Sequence, residues 1–223
     1  MSKFHISEYQ WNTIYRFLLQ IPGLRVFDKE HTRIFIEAVY YLTRTGCQWR
    51  MLPSEYGKWK TIFSRFNDWS KKGIWKQLHQ HLTKNEPKNN IMIDGTINRA
   101  HACAAGYEKG GSERQGLGKS KGGHTTKISA ITNENGTLLD FKIVPGNEHD
   151  IVSSYNLVKN QAAKIVIADK AYDCDELIKA IEINGGKAVI PPKSNRIEQR
   201  EYDETKYKAR CIIEIFFWCS KIF

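Results

Sequence analysis

Near residue 90 the chain changes its hydrophobic period, and no other feature narrows its fold as much. Upstream, from Ser7 to about Leu82, apolar residues recur at helical spacing. Asp28 stands as an N-cap before Ile34, Phe35, Ala38, Val39 and Leu42, and Gly46 is the stop. A second helical run over residues 59–69 follows the Leu52-Pro53 break. Beyond a polar linker at 84–90 the texture turns to short β-type runs, at 91–100, 125–132, 137–144, 165–168 and 188–190. Glu134-Asn135-Gly136 is a hairpin signal, whereas the later runs alternate with helical stretches at 151–161 and 174–184. The expected fold class is α/β, a mixed sheet with flanking helices behind a small all-helical N-terminal domain. The domains are read as 1–85 and 86–223.

Charge then narrows the partner. Lys and Arg number 34 against 24 Asp and Glu, a net charge of +10, and such an excess gains affinity for polyanions by releasing condensed counterions. Nucleic acid is the expected partner. The five cysteines include no Cys-x-x-Cys, which argues against a disulfide framework or a zinc knuckle and for a reducing cytoplasm. The most apolar stretch, 34–42, contains Glu37 and is too short to cross a bilayer, so no membrane is expected.

Three carboxylates lie in apolar surroundings. Asp94 follows Ile91-Met92-Ile93, and Asp169 follows Ile165-Val166-Ile167-Ala168. Tyr207, Arg210, Glu214 and Lys221 are offset by 3, 7 and 14 residues and share one face of an α-helix. Around them run Cys211, Ile212, Ile213, Ile215, Phe216, Phe217, Trp218 and Cys219, so Glu214 is expected as a lone acid on a largely buried helix. If the two strands are neighbours and that helix crosses them, the three acids converge. Like charges so placed call for hard divalent cations, Mg2+ or Mn2+. Two such ions roughly 3.5–4 Å apart suit in-line attack on a phosphodiester. Against this, Asp94-Gly95 also suits an ordinary turn, Asp169 suits a helix N-cap, and Asp140, Asp150, Asp173 and Asp175 are rivals, Asp150 the strongest.

Two basic regions complete the reading. A glycine-rich stretch at 107–127 carries Lys109, Arg114, Lys119, Lys121 and Lys127 and suits a phosphate backbone. Its Gly118-Lys119-Ser120 is similar to the end of a Walker A motif, but Glu113 stands where the first glycine is required. In the helical half, Arg50, Lys60 and Arg65 lie among Trp59, Phe63, Phe66 and Trp69, either as phosphate contacts or as a solvated face over core aromatics.

The Tyr207, Arg210, Glu214, Lys221 spacing resembles the signature around the catalytic glutamate of bacterial DDE transposases of the IS4 and IS5 insertion-sequence families. The likeness is closest to the IS5 type. Gly46-Cys47-Gln48-Trp49-Arg50-Met51-Leu52-Pro53 and Phe63-Ser64-Arg65-Phe66-Asn67-Asp68-Trp69 resemble its N-terminal block. Asp94-Gly95-Thr96, Gly122-Gly123-His124-Thr125-Thr126-Lys127, Gly146-Asn147-Glu148-His149-Asp150 and Asp169-Lys170-Ala171-Tyr172 resemble its catalytic blocks. The resemblance implies an RNase H-like fold, a metal-binding triad of Asp94, Asp169 and Glu214, and Arg210, Lys221 and Tyr207 near DNA phosphates. It further implies cleavage and strand transfer at terminal inverted repeats by a homodimer on DNA, in a bacterial cytoplasm at the nucleoid. Family members continue past the position of Phe223, so a C-terminal truncation is expected. An inactive DNA-binding remnant acting as a repressor and a non-mobile nuclease of the same fold are the rival expectations.

Overall fold

The computed structural model describes residues 5–26, 28–101, 116–120, 123–159 and 161–220; Lys109, Arg114, Lys121 and Lys221, singled out above, lie outside them. The chain forms two compact units, the first ending at Lys84 and the second beginning at Asn85.

The first unit is helical. Helix α1, Glu8–Leu19, opens on a capping box in which Ser7 and Gln10 satisfy each other's backbone N–H groups. Helix α2, Lys29–Thr45, starts at the Asp28 cap and stops where Gly46 takes the left-handed conformation, φ 62°. Helices α3, Trp59–Lys71, and α4, Ile74–Thr83, close the unit. Their apolar stripes meet in a core of Trp11, Leu18, Phe35, Ala38, Ile62, Trp69 and Ile74. The Phe35 and Trp69 rings meet edge to face at 4.9 Å.

Among the described residues the second unit is built on a six-stranded sheet. Strand β1, Asn90–Arg99, pairs antiparallel with β3, Gly123–Asn133; the outer edge of β3 carries β4, Leu138–Pro145, and the short β2, Gly118–Ser120. The turn between β3 and β4 is closed by the Asn133 side chain, which accepts from the Asn135 and Thr137 amides at 3.0 and 2.9 Å, and by Gly136 at φ 77°. On the other side of β1 lie β5, Ile165–Ile167, and β6, Lys187–Val189, both parallel. They are reached through helices α5, Asp150–Val158, and α6, Asp175–Ile183. Antiparallel strands followed by parallel ones joined through helices make the RNase H-like mixed sheet that was expected. Strand β2, three residues long, was not expected.

Strand alternation sorts the core into two layers. Ile91, Ile93, Ile131 and Val166 face Leu157 of α5 and Leu177 and Ile181 of α6. Met92, Ala130, Ile167 and Val189 face Ile213 and Phe217 of the last helix. That C-terminal segment departs from the single helix read from the sequence. It runs as α7, Glu204–Tyr207, a 3-10 turn, Lys208–Arg210, and α8, Cys211–Ser220, with right-handed helical backbone at Tyr207, Lys208 and Cys211, so the helix is tightened in its middle while Arg210 and Glu214 still pair at i,i+4.

Candidate active site

The site begins with register. Met92 of β1 lies beside Ile167 of β5, and Asp94 and Asp169 each follow two residues later. With a side-chain period of two, both acids project to the face covered by α8. Asp94 is held at its own strand by the Gly95 amide, which donates to Oδ1 at 2.8 Å. Asp169 caps the 3-10 turn Lys170–Tyr172, its Oδ1 accepting from the Ala171 amide at 2.8 Å. The capping role and the projection toward α8 coexist, because one carboxylate oxygen remains available.

Arg210 reaches over this face from the turn before α8. Its Nη1 lies 3.1 Å from Asp94 Oδ2, and its Nη2 binds Glu214 Oε1 one turn further along. Burial pushes the Asp94 carboxyl above the ordinary aspartate range; the Gly95 amide and Arg210 pull against that, while Asp169 and Glu214 add to it. For Arg210 burial works against the charge, but Asp94 and Glu214 outweigh it and raise the guanidinium pKa, with Asp169 acting in the same sense. Arg210 and three carboxylates therefore share one face of the sheet. The expectation that Glu214 is buried is corrected: its side chain is 51% exposed. Helix α8 buries only Ile213 and Phe217 against the sheet and leaves Ile215 and Trp218 in solvent, so its apolar composition did not mean burial on every side.

Asp150, the strongest rival, belongs to the opposite face. Gly95 points away from α8, and a methyl group placed on it would stand 3.3 Å from Asp150 Oδ1 and 3.4 Å from the Tyr172 hydroxyl. Asp150 pairs at 3.0 Å with Lys127, whose ammonium also donates to the Glu148 carbonyl. Tyr172 is buried there, and burial with the neighbouring negative charges of Asp150, Asp94 and Asp169 keeps its phenol neutral by raising its pKa. Asp173 is a further acid that composition could not place. Its side chain is fully buried, accepting from the Lys193 amide at 2.8 Å and from Arg196 and Arg200, and it pins the segment after β6. Asp175 joins the same pair of arginines.

Residues 86–221 match the family described as "Transposase DDE domain", and residues 6–79 match the DUF4096 "transposase of IS4/5 family". The chain belongs to the DDE transposases of the IS4/5 type. Among curated proteins it is 31% identical over 100 residues to the uncharacterized protein y4sN of Sinorhizobium fredii, covering 45% of this chain and 80% of that one. It is 35% identical over 52 residues to the uncharacterized 16.2 kDa protein of insertion element IS402 of Burkholderia cepacia, covering 22% of this chain and 35% of that one. A solved piggyBac transposase synaptic complex with hairpin DNA is similar at TM-score 0.40 and 13% identity, covering 86% of this chain but only 48% of the other. The Mos1 transposase paired-end complex with left transposon end is similar at TM-score 0.31 and 9% identity, covering 84% and 77%.

The basic residues of this transposase fall into two groups. Arg50, Lys60 and Lys119 are exposed, and Arg50 and Lys60 flank the Trp59 ring, each 5.8 Å from its centroid. Lys127 and Arg65 face inward, contrary to their expected place as phosphate contacts. The Lys127 side chain is 8% exposed and ion-paired. The Arg65 guanidinium lies 4.4 Å from the Phe35 ring centre and 5.2 Å from that of Trp69. Tyr207 packs edge to face on Tyr202 at 5.6 Å, in the apolar layer under α8. Lys121 and Lys221 lie outside the described residues.

The donor chemistry of Asp94, Asp169 and Glu214 fits a hard divalent cation, since all three offer carboxylate oxygens and a cationic group, Arg210, is already held between two of them. Among the described residues no three His, Cys, Asp or Glu side chains stand in an arrangement that holds an ion as they are. No helix among the described residues is long and apolar enough to cross a membrane.

Proposed function

We propose that this transposase performs metal-assisted phosphoryl transfer on DNA, cutting at the terminal inverted repeats of an insertion sequence and joining the freed 3′ ends to target DNA. The observation that carries this reading is the register of β1 and β5, which sends Asp94 and Asp169 to the same face, beneath the segment that bears Arg210 and Glu214. Asp94, Asp169 and Glu214 would hold Mg2+ or Mn2+, and the bound ions would supply an activated water or 3′-hydroxyl and neutralise the leaving oxygen. The chain's own groups do the rest. Asp94 and Asp169 are fixed by backbone amides, so their carboxylates need little reorganisation. Exposed Lys119 on β2 and the Arg50, Trp59, Lys60 surface offer phosphate contacts, Trp59 adding an aromatic face. Because two ends must be handled together, we further propose a homodimer on DNA, acting at the nucleoid of a bacterial cytoplasm.

The deciding experiment is Asp94→Asn in a cleavage assay with Mg2+ on a duplex carrying the repeat. Cleavage should disappear while binding of the repeat persists. Retained cleavage would remove Asp94 from the site, and repeat binding by the unaltered chain without any metal-dependent cutting would replace the enzyme with a binding protein.

A further inference from the structure

A single guanidinium ties the strand acid to the helix acid. Arg210 Nη1 meets Asp94 Oδ2 at 3.1 Å while Nη2 meets Glu214, and the Arg210 and Asp94 side chains are each only 20% exposed. This is not a fringe pair dispersed by solvent. We propose that Arg210 is an internal counter-cation that competes with divalent metal for Asp94 and Glu214, so that ion binding requires the guanidinium to leave. The inference rests on the reading of Asp94, Asp169 and Glu214 as metal-holding acids.

The reason is the number of lone pairs and charges on one face. Three carboxylates brought together repel one another, and a cation is needed to hold the arrangement before any metal arrives. Arginine suits that role because its planar fork can donate to two carboxylates at once, and it cannot lose its proton to escape. Each oxygen it engages is withdrawn from an ion, which accounts for an acid cluster with the right donors and no ready-made ion geometry among the described residues. The acids take one N–H of each terminal nitrogen, so a phosphodiester that claims the same fork competes with them for the guanidinium. A phosphodiester that draws Arg210 away therefore opens the acids to ions, and ion binding releases Arg210 toward the phosphodiester, so the two events reinforce each other.

The test uses Mn2+ alone, titrated into the full chain without DNA and followed by the loss of the free-ion electron paramagnetic resonance signal. Wild type is compared with Arg210→Gln, Arg210→Lys and Asp94→Asn, each checked for fold by circular dichroism. Arg210→Gln should bind Mn2+ about tenfold more tightly, the scale set by releasing two partly screened charge-assisted bonds. Arg210→Lys, which keeps the charge but not the fork, should fall between, and Asp94→Asn should lose the site. Affinity in Arg210→Gln equal to or weaker than wild type, with Asp94→Asn still losing the site, overturns the counter-cation alone. Binding that Asp94→Asn does not affect, or no binding in any variant, overturns the metal-site reading and the counter-cation with it. If Arg210→Gln does not fold, Arg210→Lys decides: tighter binding supports the role and equal or weaker binding removes it.

Discussion

Lys127→Met separates a structural cation from a DNA-contacting one. Lys127 stands on β3 with its side chain 8% exposed, its ammonium 3.0 Å from Asp150 Oδ1 and donating to the Glu148 carbonyl. Methionine keeps most of the apolar stem and removes the charge. The lost bond to Glu148 is charge-assisted, on the order of 1.5–3 kcal/mol. The Asp150 side chain is 37% exposed, so its share is discounted to the scale of a solvated pair, roughly 0.5–1 kcal/mol. Relief of the ammonium's own desolvation offsets part of this, leaving a net loss of about 2 kcal/mol. Hydrogen exchange of peptides spanning β3 reads that loss locally, without assuming that the two units unfold together. In parallel, the salt dependence of binding to a repeat-bearing duplex should keep its slope, because a buried ammonium neutralises no phosphate. A slope lowered by about one unit, with exchange unchanged, would refute the assignment and restore Lys127 as a phosphate contact.

Four further outcomes follow from the same geometry. Gly146→Ala places a methyl 2.0 Å from Thr125 Oγ1 and 2.9 Å from the Thr125 carbonyl carbon, so exchange protection in β3 should fall by about 2 kcal/mol or more; an unchanged value would mean that the loop before α5 gives way freely. Lys60→Ala should flatten the salt slope of DNA binding with no change in melting temperature, whereas Arg65→Ala should lower the melting temperature by loss of its contacts with Phe35 and Trp69, about 1 kcal/mol, and the reverse pattern would exchange their roles. Asp173 is held below the ordinary aspartate range: burial alone would raise its pKa, but Arg196, the Lys193 amide and Arg200 lower it more. Its contribution is therefore present above the unfolded value of 3.8 and lost as pH falls through the folded one, so exchange in residues 190–203 should accelerate in that acid window and Asp173→Asn should reduce the pH dependence to the part that Asp175 supplies. Asp94 has the opposite sign: its raised pKa means that ion affinity should already weaken on mild acidification above the ordinary aspartate range, and Mn2+ affinity constant down to that range would contradict it.

Period was readable from the sequence; strand neighbours and register were not. The strand runs at residues 91 and 165 declared themselves by unbroken apolar residues, but they differ in length before the acid, and it is the pairing of Met92 with Ile167 that puts Asp94 and Asp169 on one face. Their convergence therefore follows from the sequence only on the condition that the two strands are neighbours. Glu214 defeated the same logic because α8 is apolar on most sides, while the sheet covers Ile213 and Phe217 fully, Ile212 and Phe216 in part, and leaves Ile215 and Trp218 exposed. Lys127 was read as part of a basic loop, yet Thr125, Lys127, Ser129 and Ile131 occupy the buried side of β3, so a lysine in that row required an acid opposite it, supplied by Asp150. No glycine or proline marks the 3-10 turn Lys208–Arg210, and its effect is the least legible of all. This tightened turn just before α8 carries Arg210, whose fork reaches Asp94 across the strand and Glu214 along the helix. On that geometry metal, phosphate and Arg210 must be considered as one equilibrium.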